Sequence, residues 1–351
     1  MSGPQAGAAL VVVLWVVGLL SLFVMAFAFD MHIETRITSS WRKKLKAQYL
    51  AKAGIELARM ILMETADPDV NNPDTSIYLG KGSDEAVRGA AISLARGGVA
   101  EMTRELGAGT LSLSVRPENA RINLNSMIFV NDRERTYTTW QPLFEAAGVP
   151  WEQCDALIDC LLDWVDMDEL THLNGVESSY YESLDPPYKS KNAALDTVDE
   201  LALIKGFDEK LPESEVSIYQ AVSGFLTTYA TDEKININAV DRNTIMGFLG
   251  IDGALADEII AERQGPDLKD GTDDDLPFKS LADFLARVPA FPQSLSDRVS
   301  FTAMGRFSIL ARGRVGDLEH AAACVVSLSG KNLTVLHFIE GDALREDLIS
   351  H

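Results

Sequence analysis

The chain has 351 residues, 46% of them hydrophobic and 24% charged, with a formal net charge of −21. This is a globular composition with enough apolar mass for a core and enough length for two domains. The excess of carboxylates argues against binding a phosphate backbone, which needs clustered Lys and Arg.

Ala8 to Phe29 is an apolar run without a charge, and roughly 20 such residues in a helix span the hydrocarbon of a bilayer. The helical pattern continues past it. No proline occurs between Pro4 and Pro68, and apolar residues recur at Ile33, Ile37, Trp41, Leu45, Tyr49, Ala53, Leu57 and Ile61. This spacing predicts one helix of more than 50 residues, roughly 85 Å long at 1.5 Å per residue. Its second half is amphipathic and must pack on something. Asp67-Pro68 and Asn72-Pro73 are the expected stop.

Three readings fit this start. One is a single-pass anchor. Another is a secretory signal cut at Ala26-Phe27-Ala28, against which stand the length of the apolar run and a leader with no basic residue. The third is a class III signal, in which a dedicated peptidase cuts after the glycine of a short leader and the apolar helix remains. Arg36, Arg42, Lys43, Lys44 and Lys46 all follow the span. By the positive-inside rule alone they would place the bulk of the chain in the cytoplasm.

Residues 71–109 are mixed, with a helix expected from Asp84 to Arg96. Thr110 to Arg116 alternates strictly, with Leu111, Leu113 and Val115 on one face, as a half-buried strand does. After a turn at 117–119, Ala120 to Asn125 alternates again. Alternation returns only near the C-terminus, in strands from Phe307 towards Val315, from Glu319 to Leu328 and from Leu333 to Ile339. The last two are joined by the turn Ser329-Gly-Lys-Asn332. These strands would form one antiparallel sheet, its apolar face covered by the long helix.

The intervening residues read as helical and contain a repeat. Arg121-Ile-Asn-Leu-Asn-Ser126 recurs as Lys234-Ile-Asn-Ile-Asn-Ala239. Each copy leads to Phe and then Gly, at Phe144/Gly148 and Phe248/Gly250. Each continues into an amphipathic helix, 153–165 or 254–263. An acidic loop and a second short helix follow, near 196–204 and 278–285. Two copies imply a small helical unit duplicated and packed on itself, with the Asn pairs capping helices or bridging loops. Such units resemble helix-hairpin-helix or SAM-like modules. A membrane-tethered DNA receptor is therefore the rival function, although only Lys205 and Arg263 lie near the hairpins.

The acidic loops are the candidate sites. The first holds Asp163, Asp166 and Asp168 at a helix end, with Asn174-Gly175 and Glu177 beyond. Crowded carboxylates repel unless they are solvated or share a cation. Calcium takes six to eight oxygen ligands from irregular loops. The spacing is not that of an EF-hand, and sequence alone leaves the solvated loop and the cation site both open. The second cluster, Asp267 to Asp275 with Asp270, Asp273 and Asp274, reads as a solvated loop, with a second ion as the alternative. The five histidines (32, 172, 320, 337 and 351) lack metal spacing, and His172 reads as a surface residue within the loop. Trp164, Tyr180 and Tyr181 read as core aromatics. Cys154, Cys160 and Cys324 form no disulfide framework and read as small buried hydrophobes. No nucleophile elbow, P-loop or dinucleotide fingerprint occurs, so no enzyme is expected.

Gly7-Ala8-Ala9-Leu10-Val11-Val12-Val13-Leu14-Trp15 and Ala51-Lys-Ala-Gly-Ile-Glu56 resemble the N-terminus of type IV pilin-like proteins. The Asn repeat, Asp163-Trp-Val-Asp-Met-Asp168, Tyr180-Tyr181 and Leu184-Asp-Pro-Pro-Tyr188 make the resemblance most specific to the K-type minor pseudopilins of type II secretion systems. The resemblance implies an α+β fold: a long N-terminal transmembrane helix packed on an antiparallel sheet, with a large inserted all-α domain of two SAM-like or helix-hairpin-helix-like repeats. The expected division is leader 1–7, transmembrane segment 8–29, pilin-like helix and first strands 30–125, inserted helical domain 126–303, and C-terminal strands 304–351. It implies cleavage by prepilin peptidase between Gly7 and Ala8 with methylation of the new amine, and an inner-membrane anchor with the globular part in the periplasm. Implied partners are the I- and J-type minor pseudopilins, the major pseudopilin and inner-membrane lipid, with no nucleic acid. Implied too is structural Ca2+ at Asp163, Asp166, Asp168 and Glu177. Two departures stand out. The family usually has Glu as the fifth mature residue, where this chain has Val12, and Lys or Arg before the glycine, where it has Ala6. An uncharged fifth residue cannot pair with the terminal amine of a subunit above it, which implies a place at the tip of the fibre.

Overall fold

The computed structural model describes residues 5–65, 85–270 and 275–341. In chain order its elements are α1 (Gln5–Thr65), α2 (Glu85–Ala95), β1 (Ala100–Leu106), β2 (Gly109–Pro117), β3 (Ile122–Asn123), α3 (Arg133–Ala147), α4 (Trp151–Val165), α5 (Ser178–Tyr181) and α6 (Ile218–Ser223). Then follow β4 (Leu226–Thr227), β5 (Ile235–Asn236), α7 (Arg242–Leu249), α8 (Gly253–Gln264), α9 (Leu281–Arg287), β6 (Val299–Ser300), β7 (Arg306–Val315), β8 (Leu318–Ser329) and β9 (Asn332–Gly341). Short 3-10 turns at Val198–Leu203 and Gln293–Arg298 complete the helical part.

α1 is the single long helix that its uninterrupted pattern predicts, 61 residues without a break. Its apolar first half is exposed throughout, as a span that faces lipid would be. The expected proline stop at Pro68 and Pro73 lies outside the described residues. α1 does not pack through the stripe that the sequence suggested. Ile37, Trp41, Leu45 and Tyr49 stay exposed. The buried face is Ala47, Ala51, Gly54, Ile55, Ala58, Ile61 and Leu62, mostly small residues, and the stripe joins it only at its end, through Leu57 and Ile61. The sheet comes too close for larger side chains. A Cβ on Gly54 would lie 2.7 Å from both Ala311 and Leu111, and one on Gly313 would run into the backbone of Ala47. Close backbone approach selects the smallest residues at such a crossing.

The sheet is antiparallel, five strands in the order β1-β2-β7-β8-β9. The alternation of Leu111, Leu113 and Val115 places all three against α1 and α2, in a core that also takes Phe307, Ile309, Ala311, Ala322, Cys324 and Val326. Two expectations about strands need correction. β1 lies in a stretch that reads as mixed, because Glu101, Arg104 and Glu105 mask its period of two. The run 120–125 does not join this sheet. The sheet ends at Pro117 and resumes at Arg306, while Ile122-Asn123 pairs in parallel with Leu226-Thr227.

The segment between β2 and β7 has its own core, containing Trp140, Phe144, Leu161, Tyr181, Phe207, Ile245, Phe278 and Phe284. Two stretches of it share several local features. Ile122-Asn123 pairs with Leu226-Thr227, and Ile235-Asn236 pairs with Val299-Ser300, both in parallel. Asp132 caps α3 and Asp241 caps α7. Gly148 and Gly250 close those helices with positive φ. Arg133 reaches Asp155 on α4, and Arg242 reaches Asp257 at the corresponding place on α8. The second Asn of each motif clamps a loop at two points. Asn125 donates to Leu195 O at 2.9 Å and accepts from Leu195 N at 3.0 Å. Asn238 donates to Phe278 O at 2.9 Å and accepts from Phe278 N at 2.8 Å. The Asn pairs therefore bridge loops and cap no helix.

Candidate metal centre

α4 carries Asp155, Asp159 and Asp163 one turn apart, a spacing that lines them along one side of a helix. From Leu157 to Val165 the helix is buried throughout, and Cys154, Leu157, Ile158, Leu161 and Leu162 lie in the core. Burying that surface takes Asp159 and Asp163 fully out of water with it. A buried carboxylate is costly unless it is paired and hydrogen-bonded. Asp159 is satisfied: it accepts from Arg133 Nε, from Asn174 N at 3.1 Å and from Asn174 Nδ2 at 3.0 Å. Asp163 accepts from His172 N at 3.1 Å and pairs with His172 Nδ1. A Cβ on residue 175 would run into the Asp163 carboxylate, which accounts for Gly175.

The helix ends at Asp166, whose N–H donates to Leu162 O at 2.9 Å. The loop beyond folds back under Glu169, which accepts from Ser178 Oγ at 3.0 Å and from Asn192 Nδ2 at 3.1 Å. This brings Asp166, Asp168 and Glu177 together, with carboxylate oxygens all within 4.8 Å of one another. Asp163, Asp166 and His172 form a second group within the same limit, so Asp166 joins the two. Asp166 and Glu177 are buried and Asp168 is exposed. Asp166 Oδ1 and both oxygens of Glu177 find no hydrogen-bond partner among the described residues. Burial pushes the Glu177 carboxyl up to about 7, helped by Asp163, Asp166, Glu169 and Asp168. Burial likewise raises Asp166, with Asp168 and Asp163 adding to it.

The four carboxylates singled out in the sequence thus converge, with Asp163 joined to the others through Asp166. Three buried oxygens without a donor are groups that a cation could satisfy. A set of carboxylate oxygens in an irregular loop suits a hard ion such as Ca2+ better than zinc, which favours nitrogen and sulfur. His172 departs from its surface reading: its ring is half-buried and bound to Asp163. Asp159 was missed, and its signal was present in the i, i+4 series of carboxylates on an otherwise apolar helix. Trp164 and Tyr181 are buried core aromatics, with ring centroids 5.0 Å apart.

The second acidic loop is held differently. Arg263 is buried, donates through Nε and Nη2 to Asp270 at 3.0 and 2.9 Å, and through Nη1 to Ile237 O and Val240 O at 2.7 and 2.6 Å. Asp270 is therefore engaged by a guanidinium. Asp273 and Asp274 lie outside the described residues.

Residues 120–215 match the family model described as type II secretion system protein K. The putative type II secretion system protein K of Escherichia coli K12 is 25% identical over 251 residues, 70% of this chain and 69% of that protein. The type II secretion system protein K of Aeromonas hydrophila is 24% identical over 248 residues, 67% of each chain. In fold, the chain is similar to a chain of the crystal structure of the GspK-GspI-GspJ complex from enterotoxigenic E. coli. The TM-score is 0.57 at 17% identity, covering 88% of this chain and 100% of that one. The family model and these relatives carry the same description, type II secretion system protein K, and the solved structure shares the fold.

Proposed function

We propose that this chain is the tip subunit of a type II secretion pseudopilus. Prepilin peptidase cuts it between Gly7 and Ala8, and the new amine is methylated. The apolar half of α1 anchors it in the inner membrane, with the globular part in the periplasm. As the fibre grows, the subunit helps initiate assembly with the I- and J-type minor pseudopilins and caps the major pseudopilin below. It performs no catalysis.

The observation that carries this reading is the face of α1 left uncovered beyond the lipid span. Ile37, Trp41, Leu45 and Tyr49 stand one turn apart, exposed, on a helix that packs on the sheet from Ala47 onward. An apolar stripe of this length in water calls for neighbours of the same kind, namely the helices of other pilin-like subunits. Val12 gives the polarity. With no carboxylate at the fifth mature position, α1 has nothing in lipid to pair with an amine above it. The helical insertion broadens the head on one end of that helix, which suits a cap.

Structural Ca2+ at Asp163, Asp166, Asp168 and Glu177 is part of the proposal. The ion offsets carboxylate repulsion and pins loop 166–177 to α4, and carbonyls and water complete its shell. Against the rival DNA-receptor reading, Arg263 is buried on Asp270, which leaves the exposed Lys205 as the basic residue near the hairpins. Cysteine crosslinking along α1 tests the tip assignment. The wild type is expected to crosslink only to subunits below it, and Val12→Glu to restore contacts above. Equal crosslinking in both directions by the wild type sinks the proposal.

A further inference from the structure

The two edges of the five-stranded sheet are built differently. A sheet edge presents a row of unpaired N–H and C=O groups, and proteins guard such edges with charges, prolines, bulges or short strands. β1 is guarded. It is seven residues long and carries Glu101, Arg104 and Glu105, with Glu101 paired to Arg116 at 2.7 Å. β9 is ten residues long and has neither carboxylate, Lys nor Arg from Asn332 to Ile339. Five of those eight residues are Leu, Val, Phe or Ile. One register shift, opposite Val325 and Val326, bends it at Leu336 but leaves the strand continuous on both sides.

The helix-side face of β9 is also unfinished. Val335 and Phe338 lie opposite Val326 and Cys324, both buried beneath α1. α1 meets the end of β9, where Gln48 and Lys52 reach Glu340 at 3.4 and 3.1 Å, and Leu333 at the other end packs against the α1–sheet core. Val335 and Phe338 therefore remain 46% and 47% exposed.

We infer that β9 is an assembly edge, on which an extended, uncharged strand of the adjacent minor pseudopilin adds as a sixth strand. Backbone hydrogen bonds specify a strand as the occupant, because only a strand supplies donors and acceptors in a matching row. The absence of charge along β9 specifies an uncharged one. The half-exposed Val335 and Phe338 specify apolar side chains on its α1-facing side. This inference rests on the proposed assembly with I- and J-type subunits.

The full chain, co-purified in detergent with full-length I- and J-type subunits, provides the test. Amide hydrogen exchange is compared for β9 and β1 in the free chain and in the complex. At least a tenfold slowing along β9, with β1 unchanged, is expected. Val335→Lys with Phe338→Lys, both at exposed positions, should weaken complex formation at least tenfold while leaving the melting temperature of the free chain unchanged. Thr103→Lys on β1 should leave both complex formation and the melting temperature unchanged. A complex that forms with unchanged exchange along β9 overturns the strand addition and leaves the tip reading intact. Failure of the wild-type chain to form any complex overturns both. Should the double variant unfold, exchange in the wild-type complex still decides.

Discussion

Replacing Glu177 by Gln distinguishes a cation site from a loop that is merely acidic. The Glu177 carboxyl is pushed from an ordinary 4.5 up to about 7, first by burial and then by Asp163, Asp166, Glu169 and Asp168. A folded-state value above the unfolded one means that the cation-free fold holds the proton more tightly. Ionisation therefore costs nothing below pH 4.5, costs progressively more between 4.5 and about 7, and costs its full amount above that. At 1.36 kcal/mol per pH unit the full cost is about 3 kcal/mol. Gln is neutral and of the same shape, so in a chelator at pH 7.5 the variant should be the more stable protein. With calcium the order should reverse, because Gln supplies a weaker ligand. Calcium at a hundred times Kd stabilises the wild type by about 2.7 kcal/mol, which is roughly 5–10 °C of melting temperature for a domain of this size. Calorimetry of the full chain in detergent, at pH 7.5 and pH 4.5, with calcium or chelator, reads all of this. At pH 4.5 in chelator the two proteins should melt close together. Should Glu177→Gln be the less stable in chelator at pH 7.5, with calcium shifting both proteins equally, Glu177 is no ligand and the reasoning from its orphaned oxygens is wrong.

N-terminal sequencing of the mature protein should read from Ala8, and a start at Met1 or after Ala28 would remove the pseudopilin account of processing. Arg263→Met should destabilise the second helical stretch by about 3–5 kcal/mol, because it leaves Asp270 and two buried carbonyls without their donor. That loss should be the same in calcium and in chelator, and a chelator-dependent loss would show that the second loop holds an ion too.

Much of the fold was legible because its signals are periodic. The length of α1 follows from the absence of proline, and β2, β7, β8 and β9 follow from strict alternation. The face on which α1 packs was not legible. Apolar periodicity marks the largest side chains, yet the crossing with the sheet is so close that Ala47, Ala51, Gly54 and Ala58 do the packing. β1 was hidden because charges protect an edge at the expense of the pattern that reveals a strand. Ile122-Asn123 and Ile235-Asn236 alternate like sheet strands, but each makes a single parallel pair with a short strand of its own stretch. Of the site, the four carboxylates were legible from their crowding. Asp159 was legible in position, from the i, i+4 series on α4, but its role and that of His172 were not, since they depend on Arg133 and Asn174 for one and on the loop's return past Asp163 for the other.

The division into two cores has a consequence for what a cation can control. The α1–sheet core and the helical core are separate clusters. What joins them is a small apolar cluster of Val99, Ala120 and Ala239 together with a seam of directional polar contacts. Asn119 donates to Thr302 O at 3.0 Å, Arg121 to Ser308 Oγ at 3.1 Å, Asn236 to Gly97 O at 2.6 Å and Arg306 to Tyr229 O at 2.8 Å. Hydrogen bonds of this kind fix orientation, because each is lost with a small rotation, whereas apolar contact alone tolerates sliding. None of these partners is among the carboxylates of the candidate centre. Removing an ion from Asp163, Asp166, Asp168 and Glu177 should therefore loosen the loop and the end of α4 while leaving the head seated on the sheet. On the proposed calcium site and tip position, calcium would set the rigidity of the head and the seam its direction, so chelation should blunt what the tip does without preventing the subunit from joining the fibre.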